Sequence, residues 1–379
     1  MSDAFFDLLL GYWLAVLFAY WALLFVGIRR FDSLQVPAST THAVLAEVVI
    51  PAFNERRHLP TIGANLAAVR RTGTRACVVD DGSRDGSSGE LIELCLGTGA
   101  RLLRHSLNRG KAAAVRTGVE STAAPFVLLL DADTSLPANW RDGVCLAKRE
   151  AAVACRIVAV EAGFLASVQA REYEYVLNLE REALAGFGVV LTVPGAASIW
   201  RTAALRDIGG FSARTEAEDT DATLCLQISG WSVRVRSDIV ALTDCPGTFW
   251  SLVKQRGRWI WGNFQAAWYA VGASARGNAN RRAAIAMAAV SLLNLLGYII
   301  ATVMVARLIL LDVGVADVVA AGGLSLATIG RIVLTRRFRV VRNRSLRQVL
   351  GALLLMQLIN FVSFWHGMGA RLLRLQTWK

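Results

Sequence analysis

Three short apolar runs, each ending in a polar motif, constrain this chain more than any other feature of its sequence. Glu47–Ile50, Ala76–Val79 and Phe126–Leu130 have the length and apolar character of buried strands. Between them, Leu59–Arg71 and Lys111–Ser121 repeat their apolar residues with helical spacing. Strands alternating with helices imply a parallel sheet covered by helices. The first run leads into Pro51-Ala52-Phe53-Asn54-Glu55, the second into Asp80-Asp81-Gly82-Ser83, and the third into Asp131-Ala132-Asp133. Ligands of open α/β sheets bind beyond the C-terminal ends of the strands, so the three motifs converge on one crevice.

The chemistry of those motifs is that of phosphate, hydroxyl and metal. Carboxylates at i and i+2 on a strand end do not face the same way, so one can hold a hydroxyl or ribose while the other reaches a divalent ion. Mg2+ or Mn2+ needs few protein carboxylates when a diphosphate supplies the remaining oxygens. This assigns Asp133 to the metal and Asp131 mainly to a nucleotide sugar. The plainer alternative is that these aspartates cap the turns that follow. Lys111 opens a helix behind Gly110, a natural phosphate contact; a solvated lysine would look the same. In Glu216-Ala217-Glu218-Asp219-Thr220-Asp221, Asp219 is a candidate general base for a hydroxyl, or else a helix cap. Upstream, the small-residue turn Val193–Ala197, centred on Gly195, suits close backbone approach to a ligand.

Part of the chain belongs in lipid. Over 379 residues the hydrophobic fraction is 54%, and the mean hydropathy of +0.43 is too apolar for an ordinary soluble enzyme. Between Asp7 and Arg29 there is no charge, and at ~1.5 Å per residue that run crosses a bilayer. It lacks a basic start and ends in Arg29-Arg30, which marks an anchor rather than a cleaved leader. Ala283–Ala306 and Val349–Ala370 are further spans, and Val318–Gly330 is a shorter segment that must tilt, snorkel or re-enter. The basic stretch around 336–344 lies inside by the positive-inside rule, with Asp312 and Asp317 on the opposite loop. The expected organisation is an anchor at 1–30, a cytosolic domain at 45–245, interfacial helices at 246–280 and about three spans within 283–372. The basic C-terminal end (Arg371, Arg374, Lys379) fits that topology poorly.

Net charge of +12 would suit nucleic acid, anionic headgroups or a phosphate-bearing substrate. Much of the Arg and the 11 Trp fall beside apolar segments, and no zinc finger or aromatic RNA-binding signature is present, so nucleic acid is set aside. Six cysteines without a CxxC pair read as reduced thiols, and four scattered histidines make no metal site.

Lys254-Gln255-Arg256-Gly257-Arg258-Trp259 lies just before the C-terminal spans. On a helix Gln255, Arg258 and Trp259 share one face, presenting an amide, a guanidinium and an indole plane. That set suits a diphosphate and a sugar ring, although a Trp-anchored amphipathic helix on a membrane would look similar. A stripe of Val168, Val176, Leu179 and Ala183 along Leu165–Leu184 fits either a membrane-surface helix near the acceptor exit or a plain core helix.

Taken in order, PAFNE, DDGS, DAD, AED and QRGRW resemble the motifs of the inverting family 2 glycosyltransferases of the GT-A fold. The resemblance is to the membrane-embedded processive branch, which makes poly-N-acetylglucosamine, hyaluronan and cellulose. It covers roughly residues 45–265 and implies an α/β nucleotide-sugar-binding domain with a mainly parallel sheet. It implies that Ala52, Phe53, Glu55 and Asp81 hold the uridine, that Asp131 and Asp133 hold the UDP-sugar and a Mg2+ or Mn2+ ion, and that Asp219 is the base. Lys111, Gln255 and Arg258 would meet the diphosphate, with Trp259, Gly195 and Glu218 toward the acceptor. Ala217 stands where the family often has Thr. The implied function is polymerisation of a β-linked polysaccharide from a UDP-sugar, nearest to UDP-GlcNAc and a poly-β-1,6-GlcNAc-type product, with movement of the polymer across the plasma (inner) membrane. Expected partners are the donor, the growing glycan, membrane lipid and a small membrane protein as a further candidate. Single transfer to a lipid, as in ceramide glucosyltransferases, is the alternative. A scaffold built on an inactive domain is disfavoured because Asp133, Asp219 and Arg258 are all present.

Overall fold

The computed structural model describes residues 3–34, 45–144, 147–275, 281–310, 314–338 and 345–373. Cys145, Asp312, most of the basic stretch at 336–344, Arg374 and Lys379 lie outside the described residues or have undescribed side chains. The chain opens with helix α1 (Asp3–Ser33). It continues as β1 (Ala46–Ala52), α2 (Leu59–Arg71), β2 (Arg75–Asp80), α3 (Ser87–Thr98), β3 (Arg101–Arg104), α4 (Lys111–Glu120), β4 (Phe126–Leu130) and the short β5 (Thr134–Ser135). Next come β6 (Glu150–Ala159), α5 (Phe164–Glu172), a π-helical turn at Tyr173–Leu177, α6 (Asn178–Ala185), β7 (Ala197–Arg201), α7 (Thr202–Asp207), α8 (Glu218–Ile228) and β8 (Ser232–Thr243). Four long helices follow: α9 (Phe249–Ala275), α10 (Arg282–Ile309), α11 (Val315–Phe338) and α12 (Leu346–Leu372).

The strands form one eight-stranded sheet in the order β3-β2-β1-β4-β7-β6-β8-β5. The half containing β3, β2, β1 and β4 is parallel, as the strand–helix alternation requires. Beyond β4 the sheet turns mixed: β7 is antiparallel to both β4 and β6, while β8 runs parallel to β6. Both faces are covered, which is why the strands read as continuous apolar runs. Successive residues of β1 divide between two cores. Val48 and Ile50 pack with Ile62, Leu66 and Leu91, whereas Val49 packs with Val115, Leu205 and Leu226.

The long helices are joined to this domain by extensive packing. Leu10, Trp13, Leu17, Trp21, Leu24 and Ile28 of α1 cluster with Leu179 and Ala183 of α6 and with Ile300 of α10. Gly27 permits the contact: a Cβ there would sit 2.2 Å from the Ala183 carbonyl oxygen. The expected helix over Leu165–Leu184 is present, running without interruption through α5, the π-turn and α6. Its apolar stripe divides, Val168 meeting α9 and α12 while Leu179 and Ala183 meet α1.

Among the described residues three helices are long and apolar enough to cross a membrane: 7–34, Arg282–Ile309 and Leu346–Leu372. α11 is not one of them. α12 lies beside α9 and runs in the same direction. Ala352, Met356 and Ile359 meet Leu252 and Val253, and further along Trp261 stacks on Phe364 with centroids 5.3 Å apart. Cys77, Cys95, Cys155, Cys225 and Cys245 are free thiols.

Candidate active site

The ends of β1, β2 and β4 lie side by side, so their motifs share one edge of the sheet. The first two motifs are latched together. Asn54 adopts a left-handed conformation with φ 57°, in which its backbone N–H donates to Ser83 Oγ (2.9 Å) while its Oδ1 accepts from the Arg84 N–H (2.8 Å). Asp80 is fully buried, and burial alone would raise its pKa. Hydrogen bonds from Ser88, Ser83 and Arg104 outweigh that and hold it below the ordinary range. Asp81 ties β2 to the loop before α4: Oδ1 accepts from His105 Nδ1 (2.6 Å) and the Arg109 N–H (3.0 Å), and Oδ2 from the Gly110 N–H (2.8 Å). Ala52 enters through its carbonyl, which accepts from the Asp81 N–H at 2.8 Å. Half-buried Phe53 follows it, and Glu55 is oriented by His58 Nδ1 at 2.5 Å.

Beyond β4 the charges gather. The antiparallel pairing of β4 with β7 lays the Val193–Ala197 turn against the third motif, and the Asp131 N–H donates to the Ala196 carbonyl (2.9 Å). Lys111, at the start of α4, meets Asp131 Oδ1 at 2.6 Å and lies 3.9 Å from Glu218 Oε1. Burial opposes the lysine's charge, but Asp131, Glu218 and Asp219 together raise its pKa. Asp219 sits in the first turn of α8, with Oδ2 accepting from the Gly195 N–H (3.0 Å) and Oδ1 from the Thr220 N–H (2.8 Å). A Cβ at position 195 would lie 3.1 Å from Lys111 Nζ and 3.4 Å from Asp219 Oδ2, so the absent side chain is what lets these two charges close in. The small turn thus serves the site's own lysine and carboxylate.

Asp133 is held from the opposite side. β5 pairs with the end of β8, bringing Thr134 against Thr243. Thr134 Oγ1 donates to Asp133 Oδ1 at 2.9 Å, and Thr243 Oγ1 reaches the same oxygen at 3.3 Å. Burial and the neighbouring Asp131 carboxylate push the Asp133 pKa up to about 6. Glu218 is also raised, by burial and by Asp219, with Lys111 opposing. Arg258 is pulled below its ordinary range by burial, against the pull of Glu218, Glu216, Asp131 and Asp219. Among the described residues the four carboxylates Asp131, Asp133, Glu218 and Asp219 thus outnumber the cations in reach of them, Lys111, Arg258 and, toward Asp219, Arg181. Such an excess of negative charge fits a divalent ion at Asp133. Among the described residues no cage of three or more His, Cys, Asp or Glu exists, which suits an ion whose other ligands are substrate oxygens and water.

A cavity of about 580 Å3 runs from this cluster to the long helices. Asp131, Asp133, Asp219 and Gly195 line one part; Gln255, Arg256 and Trp259 of α9 line the middle; residues of α1, α10, α11 and α12 line the rest. Gln255 and Trp259 therefore share a face as expected, but the guanidinium beside them is Arg256. Its Cζ lies 4.1 Å from the Trp259 ring centroid and its Nη2 donates to Glu172 Oε2 at 2.5 Å. Glu172 Oε1 also accepts from Asn360 Nδ2 of α12 (3.3 Å). Tyr173, in the π-turn, meets Trp259 edge-on with centroids 6.5 Å apart. Gln255 Oε1, Arg256 Nε and Nη1, Gln357 Oε1 and Asn360 Oδ1 are buried without a hydrogen-bond partner and belong to residues lining this cavity. Sequence reasoning missed Arg256, Glu172, Tyr173 and Asn360. Only the Arg256 position beside Gln255 could have hinted at its role; the partners lie 84 and 188 residues apart.

Comparison with known proteins agrees with this architecture. The profile described as Glycosyl transferase family group 2 matches residues 126–373, more than half of the chain. Poly-beta-1,6-N-acetyl-D-glucosamine synthase of Staphylococcus epidermidis is 21% identical over 260 residues, covering 67% of this chain and 62% of the relative. Probable glucomannan 4-beta-mannosyltransferase 7 of Oryza sativa subsp. japonica is 26% identical over 236 residues, which span 57% of this chain but only 40% of the relative. A pre-mycofactocin glycosyltransferase of Mycobacterium tuberculosis is 31% identical over 216 residues, covering 54% and 43%. The chain therefore spans about two fifths to three fifths of these relatives' lengths. Among solved structures, a mannosyltransferase from Pyrobaculum calidifontis in complex with GDP-Man and Mn2+ superposes with a TM-score of 0.68 at 19% identity, covering 93% of this chain and 99% of that one. The chain belongs to glycosyl transferase family group 2, and its fold is the GT-A fold.

Proposed function

We propose that this enzyme transfers a sugar with inversion from a UDP-sugar to the end of a growing β-linked glycan seated in the cavity. The observation that carries this reading is the continuity of the space. One cavity joins the Asp131–Asp133–Asp219 cluster, the Trp259–Tyr173 aromatic pair and the long helices. Aromatic planes and unpartnered amides suit pyranose faces and hydroxyls, and the volume is that of a substrate site rather than a packing void.

In this reading Asp219 takes the proton from the acceptor hydroxyl, whose oxygen attacks the anomeric carbon as the bond to the diphosphate breaks. Attack opposite the leaving group converts an α-linked donor into a β-linked product. Lys111 and Arg258 balance the negative charge that grows on the diphosphate. Asp133 would hold a Mg2+ or Mn2+ ion, which when bound supplies further charge neutralisation at the diphosphate. Ala52, Phe53, Glu55 and Asp81 shape the wall for the base and ribose. UDP-GlcNAc is the first donor to test, on the strength of the staphylococcal relative. The rice relative and the Pyrobaculum structure make GDP-mannose a required comparison. In this reading the enzyme sits in the inner membrane as a multi-pass protein with its catalytic domain on the side where nucleotide sugars are made, a reading supported by three helices long and apolar enough to cross a bilayer.

A second reading, single transfer to a lipid, is favoured by one feature: Leu17, Ile300, Met304 and Leu324 give the far part of the cavity an aliphatic wall. The test uses membranes containing the enzyme, Mg2+ or Mn2+, and radiolabelled UDP-GlcNAc, UDP-glucose or GDP-mannose supplied separately. High-molecular-weight product from one donor, abolished by Asp219→Asn, supports the polymerase. A single labelled sugar in the lipid extract moves the assignment to a lipid glycosyltransferase. Full activity in Asp219→Asn removes Asp219 as the base.

A further inference from the structure

α12 reaches the segment that leads into Asp219. The helix is seated against α9 by two glycines. A Cβ on Gly257 would lie 3.1 Å from the Ser363 carbonyl oxygen, and one on Gly367 would lie 2.6 Å from Trp261 Cδ1. One helical turn beyond Gly367, Arg371 is constrained on three sides. Its Nη1 donates to the Gly367 carbonyl (2.6 Å), its guanidinium stands 5.2 Å from the Trp261 ring centroid, and its Nη2 donates to Glu216 Oε2. Glu216 lies three residues before Asp219, and its backbone N–H donates to Gln265 Oε1 of α9 at 2.9 Å. The next residue, Ala217, touches α9 so closely that a Cβ on Gly262 would be 2.7 Å from its backbone nitrogen. Thr220, just after Asp219, donates from Oγ1 to Asn263 Oδ1 (3.1 Å). The segment flanking Asp219 is thus fastened to α9 at three points and to α12 at one.

We propose that Arg371 is a positioning residue for the transfer reaction: by binding the Glu216 carboxylate it sets the loop that aims Asp219. The pair is half-buried, with side-chain exposures of 23% and 21%, so water competes only partly for it. Glu216 also lies within electrostatic reach of Arg258. A shift of α12 along α9 would move Arg371 and, through Glu216, the approach of Asp219 to its acceptor. This rests on the reading of Asp219 as the base, and it links α12 to the chemistry through Glu216.

The test combines kinetics with a substrate-free measurement. Arg371→Gln and Glu216→Gln should each lower kcat on the order of tenfold or more while the donor KM stays within about twofold, since misaiming costs rate rather than donor affinity. The double variant should be no worse than either single, and the reversed pair Glu216→Arg with Arg371→Glu should recover activity, as expected for one shared contact. Hydrogen exchange in detergent gives an independent readout. In Arg371→Gln the amides of Glu216–Thr220 should exchange faster, while those of Asp80–Ser83 stay as in wild type. Multiplicative losses, no recovery on reversal, or unchanged exchange at Glu216–Thr220 would each overturn the proposal. Loss of activity in Asp219→Asn together with unchanged exchange in Arg371→Gln would reject Arg371 alone and leave the base intact.

Discussion

Gly195 shows how little of an active site is written in its charged residues alone. Its neighbours Lys111 and Asp219 approach to where a single methyl would stand. Gly195→Ala asks Lys111 Nζ to give way by a few tenths of an ångström while Asp131 holds it at 2.6 Å. We expect kcat to fall about tenfold, on the scale of small misplacements of reacting groups, with little change in unfolding temperature; wild-type UDP release from this variant would show that the approach does not matter. Lys111→Met is a harsher change, leaving Asp131, Glu218 and Asp219 without their nearest cation. Loss of transfer on the order of 100-fold is expected, measured by UDP release with Mn2+ saturating. Asp131, Asp133, Lys111 and Asp219 were legible because each motif is local: a strand end, a helix start, a first turn. The role of Asp81 was less so, because its carboxylate meets His105 and the backbone of Arg109 and Gly110, groups on another loop.

At the scale of elements, the parallel half of the sheet and helices α2 and α4 were legible because strand and helix periods differ and the strands are buried on both faces. The mixed half was not. Whether β7 pairs antiparallel to β4 depends on chain crossings that carry no periodic signal. The π-turn within the Leu165–Leu184 helix was hidden for a similar reason, since Glu172 and Tyr173 meet residues of another helix distant in sequence. Those contacts make a testable element-level pair. Arg256 and Glu172 have side chains only 3% and 6% exposed, so removing one leaves the other charged, buried and unmatched. Arg256→Met should cost about 3–5 kcal/mol, whereas Arg256→Met with Glu172→Leu should recover much of that. Thermal unfolding in one detergent gives the ranking, and equal stability of the single variant and wild type would show that the pair does not hold α9 to α5.

At the scale of the whole molecule, the decisive object is a space, and a space belongs to no segment of sequence. Three helices announced themselves as apolar and long enough to cross a membrane, but that α1, α10, α11 and α12 enclose one cavity with the aspartate cluster follows only from their packing. The same packing accounts for Arg371 at the end of α12, which fits poorly as the end of an isolated span: Arg371 is directed to Glu216, just before α8. In the proposed reading the cavity also separates the two substrates in space, with the donor at the strand ends and the acceptor running toward the helices. Asn294 of α10 lines the cavity and is itself exposed, so a larger side chain there would enter open volume without prying helices apart. In Asn294→Trp the donor site is untouched, and donor KM should remain within about twofold of wild type. The acceptor path is narrowed, so labelled product should become shorter or disappear, while the slower release of UDP by transfer to water persists. Full-length product made at the wild-type rate would mean that the glycan leaves by another route and that this cavity serves something else.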